Sequence, residues 1–134
     1  MINAAALALV TLSAPAIASF DALTSDVATA NKWLEQLDAK SWTESWEATG
    51  KLFQSKLTQE QWAKTAQAVR EPLGAVISRH ILGVTKTTTL PGAPDGEYGV
   101  LTYSTAFTNK ASAVETVVLA RDGAQWKIVG YFIR

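Results

Sequence analysis

Three observations predict an α+β fold in which three helices pack on one face of a curved four-stranded antiparallel sheet. Residues 25–70 carry apolar side chains at helical spacing. Residues 76–134 switch to runs rich in Val, Ile and Thr, punctuated by Gly, Pro and Asp. The helical stretch comes first and the strands follow without a helix between them, so no parallel crossover is needed.

The first helix begins at Ser25, with Ser25 or Asp26 as cap, and carries Val27, Ala30, Leu34 and Leu37 on one face beside Trp33. A second is expected from Ser41 to about Lys56, with Trp42, Trp46, Thr49 and Phe53 on one side. Gly50 in its middle costs about 1 kcal/mol relative to Ala. Thr58-Gln-Glu-Gln61 is a capping-box pattern and opens the third helix, whose stripe is Trp62, Ala66 and Val69. Pro72 and Gly74 stop it near Arg70.

The first strand runs from Val76 to Leu90, with Gly83 as a bend or bulge. A loop at Pro91–Gly96 leads to a second strand at Glu97–Thr108 and a turn within Asn109–Ser112. An odd-length turn would bring Leu101, Tyr103 and Phe107 onto the face of Val117 and Leu119. Asp122-Gly123 reads as a two-residue hairpin turn between Val114–Arg121 and Gln125–Ile133. That turn sets Leu119 opposite Trp126, Val117 opposite Ile128, Glu115 opposite Gly130 and Ala113 opposite Phe132. Val114, Val118, Val129 and Tyr131 then share the second face, which suits a homodimer.

One domain accounts for residues 19–134, preceded by a signal peptide at 1–18: that stretch is uncharged and ends in Ala16-Ile-Ala18, a small-x-small cleavage pattern. It lacks the usual basic n-region, which leaves room for a start further upstream. Export to the periplasm or the medium is therefore expected, with no membrane span in the mature chain. Twelve basic and twelve acidic residues cancel, and no basic patch points to nucleic acid. The chain has no cysteine and a single histidine, so no thiol chemistry, no metal site and no cofactor is implied. Asp95 and Glu97 are too few for calcium.

Glu115 is the first candidate for chemistry, because a carboxylate on an apolar face must be paired, hydrated or protonated. One reading pairs it with Arg79 or Arg70, whose forked guanidinium suits a carboxylate. A second puts it at a hydrated rim. A third makes it a general acid or base, with His80 or Tyr103 as partner. A lone strand histidine such as His80 is more often a surface or packing residue. Tyr98, Tyr103 and Tyr131 could donate hydrogen bonds to a ligand, or simply pack. Glu115, Arg79, Arg70, Tyr98 and Tyr131 form the candidate binding set.

Several stretches carry a family resemblance: Trp33-Leu34 through Asp38, Ser45-Trp46, Phe53, Trp62, Arg70-Glu-Pro-Leu-Gly74, Arg79, Pro91–Tyr98, Phe107–Lys110, Glu115-Thr116, Asp122-Gly123 and Trp126–Tyr131. Together they resemble a family of exported bacterial proteins, domain of unknown function 4019. The order of helices and then a meander also resembles the nuclear-transport-factor-2-like or cystatin-like cone fold. That fold hosts isomerases, dehydratases, carriers and interaction modules, and the family implies no activity. The residues themselves, lacking a convergent catalytic set, favour an exported, non-catalytic module that binds a small ligand or an envelope protein. The rival is an acid–base enzyme, isomerase- or dehydratase-like, using Glu115.

Overall fold

A computed structural model describes residues 25–134; the expected signal peptide at 1–18 lies outside them. Helix α1 (Ser25–Asp38) is followed by α2 (Trp42–Glu47), α3 (Lys51–Lys56) and α4 (Gln59–Arg70), with a 3₁₀ turn at Glu71–Leu73. Strands β1 (Val76–Thr87), β2 (Tyr98–Phe107), β3 (Lys110–Asp122) and β4 (Gln125–Ile133) form one antiparallel sheet in sequence order. No helix among the described residues is long and apolar enough to cross a membrane.

The α+β architecture is as expected, with one correction: the second helix is two. The chain breaks at Thr49-Gly50, where Thr49 bridges Ile128 and the Gly50 N–H donates to the Ile128 carbonyl at 2.8 Å. A side chain on Gly50 would sit 3.1 Å from Lys127 Cβ and 3.2 Å from Val129 Cγ1, so glycine allows the helical layer to touch β4. The capping box at α4 forms as predicted, with Thr58 and Gln61 exchanging side-chain and backbone bonds of 3.2 and 2.9 Å.

Trp33, Leu34, Leu37, Leu101, Leu119 and Ile128 fill the space between α1 and the sheet. Two indole N–H groups are satisfied at one residue: Trp33 donates to the Ser45 carbonyl at 2.8 Å and Trp62 to Ser45 Oγ at 2.9 Å. Burying an indole without such a partner would be costly.

The β3–β4 register departs from expectation. The two turn residues are Gly123 and Ala124, flanked by Asp122 paired with Gln125. Leu119 therefore faces Ile128, not Trp126. A bulge then inserts one residue into β4, so that Val117 faces Tyr131, Thr116 faces Phe132 and Glu115 faces Ile133. One extra residue inverts which side chains point inward. Tyr131 consequently packs against the core, and Phe132 is turned outward with 64% exposure. The expected Glu115–Gly130 and Ala113–Phe132 pairs do not form.

The β2–β3 turn is two residues, Thr108 and Asn109, and a bulge that puts Ala111 and Ser112 of β3 opposite Ala106 supplies the odd offset. Leu101, Tyr103 and Phe107 are thus buried on the helix-facing side. A register shift between Ile81 and Gly83 marks the predicted irregularity in β1, which stops at Thr87 instead of Leu90.

Candidate functional site

Strand alternation places Glu115 beside Tyr103 on β2, with Arg79 on β1 one register step away opposite Thr105. Glu115 is 0% exposed. Its Oε1 accepts from Arg79 Nε at 2.8 Å and from Thr105 Oγ1 at 2.6 Å. Its Oε2 accepts from the Tyr131 hydroxyl. Of the three sequence readings, the structure shows the ion pair with Arg79, and the fully buried Glu115 is not at a hydrated rim.

Arg79 continues the chain of charges. Its Nη1 and Nη2 donate to Asp38 Oδ2 and Oδ1 at 2.8 and 3.0 Å. Asp38 Oδ1 also accepts from Arg70 Nη2 at 2.6 Å. Two carboxylates and two guanidiniums thus join the ends of α1 and α4 to the sheet, and their formal charges cancel. Arg70 does not reach Glu115; it meets the cluster through Asp38. Its guanidinium also lies 5.1 Å from the centre of the Phe107 ring, in cation–π range.

Burial opposes the charge on Arg79, but its bonds to Asp38 and Glu115 outweigh that and hold it above its ordinary pKa. Burial likewise disfavours ionised Asp38, yet the hydrogen bonds from Arg79 and Arg70 keep its carboxyl below the usual range. Burial first, and the Glu115 charge second, push the Tyr131 hydroxyl well above the ordinary phenol value. Tyr103 is pushed up to about 12, chiefly by burial, with Arg79 partly opposing.

The remaining candidates do not converge on Glu115. His80 is exposed on β1 and pairs with Ser104, on the opposite face from Arg79. Tyr98 lies on the other sheet face from Tyr103, lines a hollow shared with Lys51 and Leu52 of α3, and donates to the Pro94 carbonyl, pinning the loop before β2. Tyr103 points toward α1 and donates to Asn31 Oδ1 at 2.9 Å. There it borders an open cleft of about 250 Å³ between α1 and β1, lined by Val27, Asn31, Glu35, Arg79, Ile81 and Tyr103.

Asp38, Thr105 and Asn31 are absent from the sequence-derived set. Asp38 had a signal: it continues the stripe Ala30–Leu34 by one more step of four. Thr105 alternates with Tyr103 and Phe107 and so shares their inward face. Asn31 carries no comparable mark.

Just past Asp38, α1 ends in a left-handed residue that is not glycine. Lys40 has φ 59°, its N–H donates to the Leu37 carbonyl at 3.0 Å, and Ser41 N–H donates to Gln36 at 2.8 Å. This is a Schellman closure at a position that favours glycine, and a side chain there costs about 1 kcal/mol or more.

A family model described as "Protein of unknown function (DUF4019)" matches residues 29–131. The chain belongs to that family. The DUF4019 match takes in every residue of the Glu115 cluster. No curated protein matches the chain. Among solved structures, the chain is similar to one named "Putative Scytalone Dehydratase" from Novosphingobium aromaticivorans, at TM-score 0.49 and 10% identity over 87% of this chain and 85% of that one. The fold class of this DUF4019 chain rests on its own elements, not on that likeness.

Proposed function

We propose that this DUF4019 chain is an exported binding module that performs no catalysis at Glu115. The observation that carries this reading is the occupancy of both Glu115 oxygens. Arg79, Thr105 and Tyr131 take them, and Glu115 is absent from the residues lining the α1–β1 cleft. A general base needs a lone pair within reach of a substrate proton. Arg79, Glu115, Asp38 and Arg70 instead act as a rivet between helices and sheet.

The cleft supports the binding half of the proposal. Val27 and Ile81 give it apolar walls, while Asn31, Tyr103 and Glu35 supply polar groups, a composition suited to a small amphipathic molecule. Asn31 Nδ2 is the donor left over once Oδ1 has accepted from Tyr103.

Two measurements test it. Glu115→Gln should lose about 3 kcal/mol in urea unfolding, because it weakens a buried ion pair. Unchanged or increased stability would return Glu115 to the role of a desolvated acid or base. Native mass spectrometry after incubation with cell-envelope extract should show a retained small molecule that Asn31→Ala releases. A chain that retains nothing would remove the small-ligand reading.

The homodimer remains part of the proposal in altered form. The face away from the helices keeps Val114 and Val118, Val129 lies at its β4 edge against Gly50, and Phe132 replaces Tyr131 there.

A further inference from the structure

Two ion pairs span the gap between α1 and β1, one at each end of the open cleft. Asp26 holds Lys86 at 2.8 Å, and Asp38 holds Arg79 at 2.8 Å. Between these straps the two elements run antiparallel, and Val27, Asn31 and Glu35, one stripe of α1, line the opening. On β1, Ile81, Val84 and Lys86 share the helix-facing side, because they pair with Tyr103, Leu101 and Gly99 of β2. Ile81 is 44% and Val84 43% exposed, so the helices leave this side of β1 largely uncovered. The cleft of about 250 Å³ is therefore a trough bounded at both ends by charge, apolar toward Asp26 and polar toward Asp38.

The charges around the trough are matched except one. Arg79 gives its Nε to Glu115 and both Nη groups to Asp38, which also accepts from Arg70. Lys86 and Asp26 cancel. Glu35 joins none of the ion pairs among the described residues, and Lys32 lines a different hollow with Trp33 and Trp126. Three carboxylates thus stand against two guanidiniums, and the net negative charge disfavours an anion. A cation gains little from Glu35, which is exposed. It also fails Asn31: with Oδ1 taken by the Tyr103 hydroxyl at 2.9 Å, Nδ2 asks for a lone pair, and an ammonium has none.

We infer that the cleft, taken as the small-ligand site proposed above, accepts an uncharged, elongated molecule of the carbonyl class. Its oxygen, that of an aliphatic amide or ester, accepts from Asn31 Nδ2, and its tail lies toward Val27, Ile81 and Val84. Asn31 stands five residues from Asp26, about 7.5 Å along the helix, so a chain of about six carbons reaches the Asp26–Lys86 pair.

Titration calorimetry of the full chain at neutral pH with hexanamide, hexanoate and hexylamine separates the acceptor from its charge. Hexanamide should bind at least about tenfold tighter than either ion. Each methylene removed, to pentanamide and butanamide, should weaken binding about fourfold. Octanamide should gain nothing over hexanamide. Asn31→Asp, which puts an acceptor where the donor was, should lose hexanamide and gain hexylamine while its melting curve stays close to wild type. Three results overturn the inference and leave the small-ligand reading standing: an ion that binds as tightly as hexanamide, an affinity that keeps rising to octanamide, or an Asn31→Asp chain that still prefers the amide. Failure of every probe, with a molecule still retained from envelope extract, overturns the ligand class alone. Failure of every probe with nothing retained overturns both.

Discussion

Removing the Tyr131 hydroxyl leaves Oε2 of Glu115 buried without a donor, since Arg79 and Thr105 both bind the other oxygen. Tyr131→Phe should therefore cost about 1–3 kcal/mol in urea unfolding at neutral pH. The same group governs the alkaline limb. Its folded pKa is raised, so the unfolded chain ionises first, near the ordinary value of 10.0, and stability falls above that pH. Tyr131→Phe should flatten that fall without abolishing it, because Tyr103 is raised too. Asp38 works in the opposite direction. Its folded pKa is lowered from 3.8, so its contribution is complete above that pH and is lost as acid titrates the folded carboxyl. Urea midpoints from pH 6 to pH 2 should drop, and Asp38→Asn should show a smaller drop from a lower start.

At the level of elements, Gly74 joins the 3₁₀ turn to β1 with φ 79°, and a Cβ there would meet Thr108 Oγ1 at 1.9 Å. Gly74→Ala should cost about 3 kcal/mol by thermal unfolding, combining backbone strain with the clash. Thr108→Ala in the same background should recover part of the loss. The helices and strands themselves were legible in the sequence because periodicity and caps are local: Thr58 to Gln61 capped α4 as read. The β4 register was not legible. Asp122-Gly123 pointed to a hairpin but not to which two residues turn, and Gly130, a bulge signal of the kind used at Gly83, does not say by itself that a residue is inserted beside it. The decision lies in the tertiary gain from seating Tyr131 beside Trp33, with ring centres 5.4 Å apart, and against Glu115. For the same reason Arg79 could be named as a partner of Glu115, while Asp38, marked only by its place on the α1 stripe, could not be joined to them.

For the molecule as a whole, the two sheet edges are unequal. β4 is bridged by Thr49-Gly50, whereas among the described residues β1 pairs only with β2 and leaves Ile77, Ile81, Leu82 and Val84 exposed. Amide hydrogen exchange should show β1 as the least protected strand and β3, flanked on both sides, as the most. Equal protection across the four strands would mean that something covers β1 in solution. On the outer sheet face, Phe132→Glu is expected to shift the sedimentation mass from dimer to monomer and leave the melting curve nearly unchanged; a monomeric wild type would end the homodimer reading.

The Ser45 junction has an optical consequence. Trp33 and Trp62 lie 5.8 Å apart in a stacked pair, both almost wholly screened from water and both hydrogen-bonded to one serine. Their emission should be blue-shifted in the native protein and move to the red on unfolding. Because Tyr131 abuts Trp33, its tyrosinate would sit within quenching range of that indole. With that hydroxyl held protonated well above the ordinary range, native emission should hold through the alkaline range until the core itself opens, and its loss needs no label to follow.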